Sequence, residues 1–385
     1  MSFRYIITLL LMLGMIVSAH AQEQQKVPEQ VYPVLEYILS LPQSNENLDP
    51  GKLSGLIDFV GSVPVGSGIA LQERDGAAGA FHAFSIDGDL SGVLDYAYNP
   101  DIPAYVTMPS SLQDQEWLTP QMNDELRKLT GNGGTTGDIH LLRGREREAI
   151  TPDTNTGGYY MYNQHRIVAV LPGPTGPVLI SATNQVDASE VGKKGCVVGD
   201  DKDWNYLYSD ETGLNKTGLG WVDSYMYSAY SVIIYVTDSS ANMLHVGSFK
   251  WLNAGWAKIN MVKSSHILEG IKRFASDFKV VLESPDLPEA PVLATKYREL
   301  LQKSKHELRQ RVSPYLQALS NSDVLKVCSN PLKSMVPSGE YLQEMSHGEM
   351  VRVLLLKYVK GYIGKEPLSR VDFQPSQAQT LASRP

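Results

Sequence analysis

Two stretches have the oxygen spacing of a calcium loop. Asp87, Asp89 and Ser91 stand at positions 1, 3 and 5 and Gly92 at position 6, but Tyr98 occupies position 12, where a bidentate glutamate is needed. Asp201, Asp203 and Asn205 repeat the spacing, with Tyr206 in place of the glycine. Asp, Gly, Ser and Asn are also turn residues, and turns are the preferred reading of both. Of the eight histidines, His266 follows Ser264 at the start of a periodic apolar segment, a surface position before it is a base. His82, on a strand flanked by Phe81 and Phe84, reads as a core histidine. There is no G-x-S-x-G elbow and no H-E-x-x-H pair. No catalytic residue, metal ligand or cofactor is therefore assigned.

The remaining candidates for chemistry are aromatic. Residues 159–283 hold nine of the twenty Tyr and four of the five Trp. Trp204, Tyr206 and Tyr208 alternate, which puts them on one face of a strand. Tyr225, Tyr227, Ala229, Ser231, Ile233 and Tyr235 do the same over a longer run. Buried tyrosine hydroxyls need partners, and a pocket with aromatic walls supplies them from water or ligand. The residues expected to line such a pocket are Tyr206, Tyr208, Tyr225, Tyr227, Trp251, Trp256, Phe274 and Phe278. The alternative is a filled aromatic core.

The elements that must position these residues follow from periodicity. Ile267, Ile271, Phe274, Phe278 and Leu282 recur at spacings of 4, 3, 4 and 4, the stripe of an amphipathic helix, stopped by Pro285 and Pro288. Before it come runs that read as strands without intervening helices: Tyr159–Leu171, Val178–Thr183, Cys196–Val198, Tyr225–Thr237 and His245–Trp251. That succession predicts an antiparallel sheet. Earlier, Val31–Leu41 and Leu53–Val60 read as helices, Ile69–Glu73 and Phe81–Ile86 as strands, and Thr119–Leu129 as a helix. Leu90–Tyr98 fits either. Gly131–Gly137 lacks the Lys of a phosphate loop and, like Thr151–Gly158, reads as a connector. Arg143-Gly144-Arg145-Glu146-Arg147 reads as solvated surface. Beyond Pro291, one helix runs through Leu293 to Val312, with Pro314 ending or kinking it, and another through Glu340 to Ile363.

Arg4, the apolar run Tyr5–Val17 and Ala19-His20-Ala21 have the form of a secretory signal peptide cleaved after Ala21. The run is shorter than the roughly 20 residues of a membrane span, so the mature chain is expected in the periplasm or outside the cell, with no transmembrane segment. A net charge of −8 without a long basic run excludes nucleic acid as the natural partner. Cys196 and Cys328 are the only cysteines. An export compartment permits a disulfide, but sequence does not bring two Cα atoms together. Two buried thiols are the first reading and pairing the second.

The order of elements resembles the helix-grip fold of the START-like superfamily. Ser67–Arg74 (SGIALQER) looks like its early strand, and Gly255-Trp256 before Asn260 looks like its junction into the closing helix. The resemblance implies an α+β fold, a curved antiparallel sheet wrapped on a long C-terminal amphipathic helix around a cavity. It divides the chain into a signal peptide (1–21), a START-like domain (22–284), a C-terminal helical extension (285–366) and a disordered tail (367–385). The expected function is binding of an apolar or amphipathic small molecule, possibly a lipid, between sheet and helix. The alternatives are an envelope interaction or scaffold protein with a protein partner, and an enzyme of unrecognised type.

Overall fold

The computed structural model describes residues 26–131, 137–152, 157–216, 220–321, 325–326 and 328–365. The expected signal peptide, the tail from 367 and the middle of both connectors lie outside these residues. In chain order the elements are α1 (Val31–Ser40), α2 (Ser54–Ser62), β1 (Gly68–Arg74), β2 (Ala77–Asp87), α3 (Leu90–Ala97), β3 (Leu112–Trp117), α4 (Met122–Gly131) and β4 (His140–Ile150). There follow β5 (Gly158–Tyr159), β6 (Met161–Pro172), β7 (Pro177–Gln185), β8 (Lys193–Val197), β9 (Tyr206–Thr212), β10 (Leu214–Lys216), β11 (Gly220–Val222), β12 (Tyr225–Asp238), β13 (Met243–Trp256) and β14 (Ile259–Asn260). The chain then turns helical: α5 (Ser264–Leu282), α6 (Ala290–Leu301), α7 (Lys305–Ser320), α8 (Asn330–Ser338), α9 (Glu340–Glu344) and α10 (His347–Tyr362).

The fold is mixed α/β around one large antiparallel sheet. Its strand order is β1-β2-β13-β12-β7-β6-β4-β3, with β14 paired to β13. The first hairpin thus lies beside the last long strand, and the chain passes from that strand through the two-residue β14 into α5.

Side chains alternate along a strand, so the sheet has two faces, and helices cover both. On the outer face α1 and α2 lay Val31, Leu35, Ile38, Leu56 and Val60 against Phe81, Ile180, Ile234, Phe249 and Trp251. Phe81 and Phe249 meet there with ring centroids 4.5 Å apart. On the inner face α3 and α5 lay Val93, Leu94, Phe274 and Phe278 against Phe84, Val168, Leu179, Tyr235 and Val246. Phe274 meets Phe84 edge-on at 5.9 Å, the arrangement favoured by ring quadrupoles.

The C-terminal helices build a second core. Leu293, Leu308, Val312, Leu316, Met350 and Leu355 pack together, and the same cluster takes in Tyr105, Val106, Leu112, Val198 and Leu207 from earlier in the chain. The small sheet β5-β8-β9 joins this layer to the rest. Cys196 on β8 and Cys328 form a disulfide, Cα to Cα 5.5 Å, which corrects the reading as free thiols. Two buried sulfurs in one core need only the right Cβ directions to bond.

Several local expectations change. The Asp87–Gly92 pattern is a helix cap: the Asp89 carboxylate accepts from Gly92 N at 3.1 Å and Ser91 Oγ at 2.7 Å, which starts α3. The expected single helix through Leu293 and Val312 is split by a capping box at Ser304 and Glu307, and the one from Glu340 by a second box at Ser346 and Glu349. Pro314 lies inside α7 without ending it. Helix α8 and strands β3 and β4 were not expected.

Candidate functional site

The eight aromatic residues expected to line one pocket fall in separate places. Trp251 is on the outer face, under α1 and α2, its indole N–H donating to Gln72 O at 2.9 Å. Phe274 and Phe278 are on the inner face. Tyr206 and Tyr208 cluster with Trp204 and Tyr159 on the small sheet, beneath the Arg352 guanidinium at 5.8 and 5.2 Å. Tyr225 and Tyr227 stack on each other at 6.0 Å near the end of β12, and Trp256 is half-buried at the end of β13. The shared face expected for Tyr225 through Tyr235 breaks at a bulge, where Met226 pairs with Ala254 but Ser228 with Asn253. One extra residue reverses the alternation. Met226, not its tyrosine neighbours, therefore joins Ala229 in the interior.

What the inner face does bring together is polar. Strand pairing sets Ala80, Lys250, Ser231, Thr183, Arg166 and Gly144 in one row across β2, β13, β12, β7, β6 and β4. Ser231 Oγ and Thr183 Oγ1 share a hydrogen bond of 2.9 Å. At one end Arg166 is fully engaged: Nη1 lies 3.2 Å from Glu146 Oε2 and Nε donates to Ser181 Oγ at 2.9 Å. Burial opposes the Arg166 charge, but Glu146 more than restores it, and its pKa is raised. Glu146 is 0% exposed. It also accepts from Gln115 Nε2 at 2.6 Å and Gln164 Nε2 at 2.5 Å, the satisfaction a buried carboxylate requires. Gln164 bridges to Glu148 at 2.6 Å, and Tyr162 Oη donates to Glu148 at 3.2 Å. Burial, then repulsion from Glu146, raises the Glu148 carboxyl above its ordinary range.

Lys250, at the other end of the row, differs. Among the described residues no hydrogen bond or ion pair holds it. Its side chain keeps some accessible surface, while burial, countered by Glu148 and reinforced by Arg273, lowers its pKa. Lys250 and Glu148 sit four strands apart, about 19 Å in a flat sheet. Beyond the end of β7, Tyr162 on β6 clusters with Met226 and Ala229 on β12.

Under α5 the inner face carries two small apolar clusters. One is Ile267 and Ile271 on α5 with Ala80, the other Tyr162, Met226 and Ala229, and Leu252 lies half-buried against both. Deeper along α5, Arg273 Nη1 reaches Asp201 at 3.4 Å, and Asp277 is only 4% exposed. Burial raises the Asp277 carboxyl; Ser110 and Trp204 partly offset this. Yet Ser110 Oγ, Trp204 Nε1 and Asp277 Oδ2 all stop short of hydrogen-bond geometry.

Two small cavities lie elsewhere, between α10 and the small sheet. They measure about 20 and 10 Å³ and are lined by Tyr206, Tyr315, Arg352 and Val353. Each suits about one water, which needs roughly 10–15 Å³, far below the roughly 300–1,000 Å³ of a ligand pocket.

Sequence reasoning missed Glu146, Glu148, Arg166 and Lys250. The signal was present as alternation: Arg143, Arg145 and Arg147 are one side of a strand and Glu146 and Glu148 the other. It was hidden because both sides are charged. No group of three or more His, Cys, Asp or Glu among the described residues is placed to hold a metal, and no helix among them is long and apolar enough to cross a membrane. No family model matches the chain, and no curated protein matches it.

Proposed function

We propose that this chain is an exported binding protein that holds a small amphipathic molecule, such as a lipid, between the sheet and α5. The observation that carries the reading is the change of character along the inner face under α5. One part is apolar, with Leu252 between Ile267, Ile271, Tyr162 and Met226. Beside it runs the Lys250, Ser231, Thr183 row, where no hydrogen bond or ion pair holds Lys250 among the described residues. A molecule with a hydrocarbon end and a polar end is complementary to both parts.

Two further features support the reading. The Cys196–Cys328 bond belongs to an oxidising compartment, in keeping with export to the periplasm or beyond. The packing of α5 on the inner face, and the short run from β13 through β14 into α5, support a helix-grip arrangement of the START-like kind. Helix α5 is the element that would shift to admit a ligand, since the sheet is held from behind by α1 and α2.

Native mass spectrometry of protein released gently from its compartment tests the proposal. The wild type should carry a bound mass that Leu252→Trp, which adds bulk to that apolar part, loses while melting close to the wild type. A wild type that carries no mass and takes up no lipid from vesicles would sink the proposal.

A further inference from the structure

We propose that Lys250 is a reactive amine that captures the polar end of the ligand as an imine, so that the molecule it serves is an apolar aldehyde or ketone. The inference rests on the binding reading and adds covalent chemistry to it.

The argument begins with a contrast inside one row of the sheet. Arg166 and Lys250 are both cations on the inner face, separated by Thr183 and Ser231. Arg166 is held by Glu146 and by Ser181, as a structural cation in low dielectric should be. No hydrogen bond or ion pair holds Lys250 among the described residues. A lysine whose task was structural would be paired or would extend to the surface. Lys250 instead sits on a central strand, between β2 and β12, with α5 above it.

The surroundings suit the reaction. Leu252 is two residues along the same strand and on the same face, so an apolar chain lying on Leu252 brings its terminal carbonyl to the amine. Tyr162 packs in the cluster that Leu252 touches, and its hydroxyl holds Glu148 at 3.2 Å. Glu148 therefore adjoins the cluster that Leu252 packs against. Burial lowers the proton affinity of Lys250 and raises that of Glu148, and the attraction between the two groups works against both shifts. Desolvation and a neighbouring cation are an established route to a nucleophilic lysine, and Arg273 is that cation here.

The step balances without oxidant or metal. The lone pair of Lys250 Nζ attacks the carbonyl carbon, and a C–N bond forms as the π bond of the carbonyl opens. The amine proton passes to the oxygen, giving a carbinolamine. Glu148 supplies a proton to the hydroxyl, the C–O bond breaks and water leaves. The imine nitrogen loses its remaining proton to Glu148, which is thereby restored. Hydrolysis reverses each step and releases the carbonyl compound.

The full-length protein is incubated with hexanal and sodium cyanoborohydride, which reduces an imine to a stable secondary amine, and the modified lysines are mapped by peptide mass spectrometry. At neutral pH Lys250 should be alkylated at least tenfold faster than the exposed Lys202 and Lys272. Glu148→Gln should slow labelling of Lys250 and leave Lys272 unchanged. Labelling of Lys250 no faster than of Lys272 overturns the proposal, and the wild-type comparison needs no variant to fold. A native ligand that leaves intact on denaturation, with Lys250 unlabelled by hexanal, overturns the imine while the binding reading stands. Fast labelling of Lys250 that Leu252→Trp suppresses upholds both.

Discussion

Lys360 carries an ammonium into the seam between α10 and the start of β9. It donates to Asn205 Oδ1 at 2.9 Å and to Trp204 O at 3.3 Å, and burial lowers its pKa to about 7. An unfolded lysine titrates near 10.4. Between these values the unfolded chain binds more protons than the folded one, so stability rises with pH. Below about 7 both forms are charged and the penalty is constant. Denaturant midpoints should therefore climb from pH 7 to about pH 9.5, before unfolded tyrosines begin to ionise and reverse the trend. Lys360→Met should flatten the climb; an equally steep slope in the variant would remove Lys360 as its origin. Nothing in the sequence marks this residue, because a lysine every few positions is what an exposed helix face shows as well. Glu146 and Lys250 were illegible for the same reason. Charge predicts exposure until specific surroundings overrule it, and neighbours supplied by other strands leave no local trace.

Helix α5 was the most legible element, and its energetics follow from the stripe. Phe278 is 0% exposed, with Tyr235 at 6.2 Å and Phe274 at 5.2 Å between ring centroids. Truncation to Ala removes that packing and leaves a cavity, a cost of roughly 3–5 kcal/mol. Lys272 lies on the opposite side, paired only with Glu269 at 2.9 Å, and Lys272→Ala should change stability by about 0.5 kcal/mol or less. Urea melts resolve the two readily. Equal effects would mean that α5 does not bury this stripe. The helices were read from apolar period, and the long strands from β-branched and aromatic runs. The capping boxes at Ser304 and Ser346 were overlooked although S-x-x-E is visible in both places, which is why two breaks were missed. Strand β4 was lost to its charges. The bulge in β12 has no sequence signature at Tyr227, and that single inserted position is what scattered the expected aromatic stripe.

In the molecule as a whole, one covalent bond links β8 to the segment between α7 and α8 and closes a loop of 132 residues. Constraining so long a loop in the unfolded chain contributes on the order of 4–5 kcal/mol. Reduction, or Cys328→Ser, should lower the denaturant midpoint by a corresponding amount and expose the α7 to α8 segment to limited proteolysis first. Unchanged cleavage kinetics after reduction would show that noncovalent packing alone fixes that layer. The composition and the antiparallel sheet were legible at this scale. The shared core of the C-terminal helices with Tyr105, Leu112 and Leu207 was not, because no periodicity relates residues so far apart.

The two open margins of the sheet, β1 and β3, have a feature in common. In β1 the pairing register shifts between Leu71 and Arg74, and in β3 between Leu112 and Asp114. Exposed Glu73 lies at the first shift, and Asp114 and Glu116 at and beyond the second. A second molecule approaching either side would find a bent backbone and a repelling carboxylate instead of a straight row of free amides and carbonyls. With so large a sheet, the protein carries its own defence against fibrous self-association, written into the strands least involved in holding it together.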